Sequence, residues 1–140
     1  MPPAISIQQP WASALFAGRP VESRTRKGGA CPMPQIKPGQ RLLIHAGATW
    51  HAWADEAYRL LPALPRNLPR SVLLGSVHIL GWYRAAEAAA LPDLSPWVLA
   101  DDPDRWYLRH DPEQAVVFGQ PIPCSGARGV WDVAKRLALG

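Results

Sequence analysis

The chain has 140 residues, 48% of them apolar and 19% charged, with a formal net charge of +4. That balance predicts one folded domain over residues 1–140 with a core of its own, and excludes a disordered charged tail. No apolar run reaches the roughly 20 residues that a membrane-spanning helix needs, and the N-terminus lacks the basic and apolar blocks of a secretion signal; a cytoplasmic protein with no membrane partner is expected.

Ala4–Ile7 reads as a short strand. Pro10 sits where a helix accepts proline without losing a hydrogen bond, which makes Gln9 the cap of a helix over 10–17 closed by Gly18. Trp11, Ala14, Leu15 and Gly18 then share one helical face suited to packing on a sheet. In the next strand, over 20–25, Val21, Ser23 and Thr25 share one side, and Glu22, Arg24 and Arg26 the other. A carboxylate and guanidinium groups aligned beside a helix mouth predict a small polar cleft.

Residues 26–40 are rich in Gly and Pro and read as a long loop. The strand over 41–46 turns Leu42, Ile44 and Ala46 one way, and Leu43 and His45 the other. Thr49 caps a predicted helix in which Trp50, Trp53, Ala54, Ala57, Leu60 and Leu61 form an apolar stripe, stopped by Pro62 and Pro65. Ser71–Tyr83 is the longest strand candidate, with Gly75 and Gly81 permitting the bends of a small barrel. A brief helix over 85–90 follows, then an acidic excursion over 92–112 around Trp97, Trp106 and Tyr107. Short strands over 115–118, 121–124 and 129–133 close the chain. Uneven short strands beside two real helices predict a curled or closed sheet rather than a doubly wound one.

Charge is clustered. Residues 19–41 carry six bases against Glu22 alone, a local +5, while 42–127 balance to −3 and the last stretch returns to +2. A basic surface of this kind collects phosphates, although a solvated positive loop is the simpler reading. Cys31 and Cys124 are too few for a disulfide framework, and a reducing compartment keeps them as thiols.

The segments ISIQQPWASALFAGRPVESR, RLLIHAG, LLGSVHILGWY and PIPCSGARGVWDV resemble, in that order, an ASCH domain (activating-signal-cointegrator homology) of the PUA-like superfamily. The resemblance runs from Ile5 to about Val133. It implies an α+β fold, a small PUA-like β-barrel of about six strands flanked by two or three short helices, and RNA or DNA binding, or action on a nucleotide-like substrate, in a cleft bordered by the first helices. The family's usual Lys is replaced here by Arg19. A guanidinium clamps a phosphate or steadies an oxyanion but accepts no proton, which weakens an amidohydrolase reading.

The expected partner is therefore RNA or single-stranded nucleic acid, held by Gln9, Trp11, Arg19, Glu22, Arg24, Lys27, His45 and Arg128. Glu22 and Arg24 either pair structurally or hold a phosphate between them. Gln9 caps and reads a base edge; Trp11 belongs to the core, the cleft, or both. Trp50, Trp53 and His51 stack on bases or simply start an amphipathic stripe. Lys27 with Gly28 and Gly29, and Arg128 in the SGAR turn, offer further phosphate contacts. The alternative is a metal-independent hydrolase acting on RNA or a modified nucleoside, with Glu22, Arg24 and His45 as its catalytic group. No cofactor or metal is expected, since His45, His51, His78 and the cysteines lack zinc-site spacing. A third reading is a protein partner docking on residues 97–111.

Overall fold

The computed structural model describes residues 2–139. Six strands, β1 (Pro3–Gln9), β2 (Val21–Thr25), β3 (Arg41–Trp50), β4 (Val72–Arg84), β5 (Arg105–Pro123) and β6 (Trp131–Asp132), form one sheet in the order β2-β5-β4-β3-β1-β6. Four short helices flank it: α1 (Trp11–Ala14), α2 (Ala54–Leu60), α3 (Ala85–Ala89) and α4 (Val133–Leu139). Only β1 and β3 run parallel; the other pairings are antiparallel. The result is α+β, a curled six-stranded half-barrel of PUA-like form.

Alternation along the strands builds two cores. Ile5 and Ile7 of β1 and Leu42 and Ile44 of β3 meet Leu15 below α1 and Leu74, Val77 and Ile79 of β4. Each such side chain contributes roughly 1.5–3 kcal/mol by leaving water. Met33 and Ile36 reach into the same cluster, so the long loop is tied down by its own apolar residues. The opposite faces of β1 and β3 place Ala4 and Leu43 against Leu73, Trp131 and Val133. Gly75 permits the sharpest approach: a Cβ there would run into the Val116 carbonyl, beside a register shift between Leu73 and Gly75.

Three sequence expectations are corrected. β3 continues through Trp50, because Gln9 of β1 pairs with Trp50 and lengthens the ladder. The helix therefore starts at Ala54, Thr49 lies in the strand rather than capping, and Trp53 leaves the apolar stripe. Second, the excursion over 92–112 ends at Arg105, where the 19-residue β5 begins and absorbs the separate strands expected over 115–118 and 121–124. β2 pairs only with Arg105–Arg109, so the later part of β5 has one free edge. Pro112, Pro121 and Pro123 are tolerated there because a missing N–H on a free edge breaks no ladder bond. Third, β6 is two residues long and α4 follows it at once. The Asp132 side chain accepts the Lys135 N–H at 3.3 Å and so caps that helix. Cys31 and Cys124 are free thiols.

Candidate functional site

A closed barrel hydrogen-bonds every strand on both sides; this sheet does not. β2 has β5 alone as a neighbour, and β1 beyond Ala4 has β3 alone, since β6 covers only Pro3 and Ala4. The seam between them is spanned by a side chain: Arg24 Nη2 donates to the Ser6 carbonyl at 2.7 Å. Around that bridge opens a cleft of about 850 Å³, bounded by α1, the start of α2 and the segment 96–99.

The floor is a three-residue charge cluster. Glu22 accepts Arg19 Nη2 at 2.9 Å on one carboxylate oxygen, and Arg24 Nε and Nη2 at 3.1 and 3.0 Å on the other. Strand alternation puts Glu22 and Arg24 on one face, as expected from the sequence. Arg19 reaches them from the turn after α1, its guanidinium 4.7 Å above the Trp11 ring and its Nη1 donating to the Trp11 carbonyl at 3.2 Å. His110 holds that turn. Its Nε2–H donates to the Arg19 carbonyl at 2.7 Å, and its backbone N–H to the Pro20 carbonyl at 3.1 Å.

Burial alone would push the Glu22 carboxyl upward, but the two guanidiniums and their hydrogen bonds outweigh it and the net shift is downward. Burial draws Arg19 below its ordinary value, partly offset by Glu22; a guanidinium starting so high stays charged. Glu22 is therefore a fixed anion near neutral pH.

The remaining walls are aromatic. His51 stands edge-on to Trp11, with ring centres 6.2 Å apart, and to Trp53 at 5.9 Å. Its Nδ1 accepts the Trp53 N–H at 2.9 Å, which leaves the proton of the neutral ring on Nε2. Burial lowers the His51 pKa, with smaller opposed effects from Glu22 and Arg19. Trp53 is 65% exposed at the mouth. Across from it, the Tyr107 hydroxyl accepts the Leu99 N–H at 2.7 Å and fixes the 96–99 wall. Arginines 19, 24, 59 and 105 against glutamates 22 and 56 leave the lining at +2.

Of the residues expected from the sequence, Trp11, Arg19, Glu22 and Arg24 come together here. Gln9 does not. It is completely buried, with its amide donating to Ser13 Oγ and the Pro69 carbonyl, both at 2.8 Å, and accepting the Ser13 N–H at 3.0 Å. Pro10, rather than Gln9, stands at the N-cap of α1; Gln9 takes the Ser13 N–H from one residue earlier, and both of its own N–H donors are spent inside the fold. His45 is also elsewhere, 1% exposed between Ser6 Oγ at 3.0 Å and the Cys124 carbonyl at 2.6 Å. His45 does not line the cleft beside Glu22 and Arg24; Ser6 stands between, its carbonyl bonded to Arg24 and its hydroxyl to His45. Lys27 and Arg128 are exposed and outside the cleft lining. Of the 97–111 segment, Tyr107 is buried in the core and Trp106 donates to the Gly29 carbonyl at 3.1 Å. Arg105 enters the site without having been assigned to it, while His51 and Trp53, weighed as base-stacking residues against the start of an amphipathic stripe, both line the cleft. The Trp-His-Ala-Trp run carried the signal for those two, and the helix that competed with it starts only at Ala54.

The fold and its seam define a PUA-like half-barrel with an open, basic and aromatic cleft. No family model matches the chain, and no curated protein does. Among solved structures, the ASCH protein of Zymomonas mobilis is similar at 14% identity with a TM-score of 0.52, over 98% of this chain and 93% of that one. A tyrosine-to-phenylalanine variant of it gives 0.51 at 14% identity over 98% and 96% of the two chains. A serine-to-alanine variant gives 0.53 at 12% over 99% and 98%. The chain has the ASCH-domain fold.

Proposed function

We propose that the chain binds single-stranded nucleic acid, RNA foremost, with one nucleotide seated in the seam cleft. The observation that carries this reading is the union, in one cleft, of a +2 arginine lining with an exposed tryptophan and a histidine edge. Arginine forks attract phosphodiesters without regard to sequence, and an exposed indole stacks on any base. Arg24, Arg59 and Arg105 are the phosphate contacts, and Trp53 is the stacking platform. Arg19 and Glu22 act beneath them, holding Trp11 and Arg24 in place.

The test is affinity for a short RNA oligomer against salt. Three phosphate contacts predict a slope of log affinity on log salt of about −2, since each contributes about −0.7 on a single strand. Arg59→Ala, on the exposed face of α2, and Arg24→Ala should each weaken binding to all sequences and flatten that slope by about 0.7. A slope indifferent to salt and to both substitutions would end the proposal.

A further inference from the structure

The charged and polar side chains on the cleft floor leave more donors than acceptors unused. Glu22 has no free oxygen: besides the arginines, its Oε1 accepts the Ser23 N–H at 3.1 Å. Both Glu56 oxygens are taken by Arg59. Ser23 Oγ accepts Arg105 Nη1 at 3.1 Å, and the Ser6 carbonyl, the Trp11 carbonyl and the Tyr107 hydroxyl already hold Arg24, Arg19 and the Leu99 N–H. Donors remain. His51 Nε2, Arg24 Nη1, Arg105 Nη2 and Trp53 Nε1 have no partner among the described residues. Gln8, exposed at the mouth, adds an amide with an acceptor and a donor unused.

We infer that the cleft selects a base with an exocyclic keto oxygen (uracil, thymine, guanine, hypoxanthine) over one with an amino group (cytosine, adenine). This rests on the single-strand reading above. An O4 or O6 atom is an acceptor and meets the donor-only wall of His51 and Arg24. An N4 or N6 amino group is a donor; placed against His51 Nε2 and Arg24 Nη1 it loses water, meets no acceptor in that pair and faces another N–H. The preference comes from the side chains that orient the site, because Glu22, which would otherwise accept an amino group, is consumed by Arg19 and Arg24. It also comes from the fixed tautomer of His51, since the Trp53 N–H occupies Nδ1 and so keeps the proton on Nε2.

The experiment is a titration of the full chain with hexamers of uridine, cytidine, inosine and adenosine, plus an abasic hexamer, at one salt concentration. Uridine is expected about tenfold tighter than cytidine, and inosine about tenfold tighter than adenosine, the effect of one unpaired buried donor. His51→Phe, which keeps a ring and removes Nε2–H, should shrink both ratios to less than about threefold. Trp53→Ala, at an exposed position, should bring all four hexamers down toward the abasic one. Equal affinities, or cytidine ahead of uridine, with the salt slope intact would overturn the base preference and leave single-strand binding standing. No binding by any hexamer would overturn both.

Discussion

Removing the charge of Glu22 is the sharpest perturbation of this architecture, because two cations depend on one carboxylate in different degrees of burial. The Arg19 and Glu22 side chains are 6% and 8% exposed, whereas Arg24 is 30% exposed. Charge centres roughly 4 Å apart interact with about 4 kcal/mol at an effective dielectric of 20, and with about 1 kcal/mol in water. A double-mutant cycle built from Arg19→Met and Glu22→Gln should thus give a coupling of about 2–4 kcal/mol. The cycle with Arg24→Met should give about 1 kcal/mol. Glu22→Gln alone should destabilise by about 3–5 kcal/mol, since it strands a buried guanidinium. Urea unfolding midpoints at constant slope supply the free energies. Repeating the cycles in about 1 M salt should shrink the Arg24 coupling and spare that of Arg19. Equal couplings, or an Arg19 coupling below about 0.5 kcal/mol, would refute the view that Glu22 is a buried counter-ion.

Acidity should weaken the fold through two buried histidines and one partly buried one. The pKa values of His45, His51 and His110 are all lowered, chiefly by burial, so the unfolded chain takes up protons first. Their contribution is complete above about pH 6.5 and is lost as pH falls through the folded values, by at most about 1.4 kcal/mol per pH unit for each site. Melting temperatures should fall from pH 7.5 to pH 5, and a flat profile would contradict this. Gly126→Ala is expected to destabilise by about 1–3 kcal/mol, because a Cβ there would collide with Ser6 Oγ and lie 2.7 Å from the His45 ring. Gly119→Ala, with nothing within 4 Å, is its control and should be near neutral by chemical denaturation.

What the sequence revealed follows from the range of the forces involved. The period of two along residues 20–25 placed Glu22 and Arg24 on one face, and the Leu42–Ala46 alternation placed His45 on the side away from Ile44. Both are local consequences of strand geometry. The half-barrel was legible through the order of its motifs. The cleft's second wall was not, because it depends on tertiary pairing: Gln9 opposite Trp50 extends β3, displaces the helix start, and so turns Trp53 outward. The single long β5 was hidden for the same reason: its prolines lie along a strand with one free edge, and only topology tells a free edge from a paired one. Gln9 misled differently. Its bonds within the fold and its reading of a base compete for the same amide atoms, and Ser13 with the Pro69 carbonyl took both donors.

Whether single-stranded nucleic acid seats in the seam is decided by amide chemical-shift mapping with a uridine hexamer. The largest perturbations are expected on residues 6–8, 22–24, 51–56 and 97–99, the walls of the seam. Perturbations confined to the free edge of β5 at 113–122, or to the 125–129 turn over His45, with the seam silent, would contradict that seating.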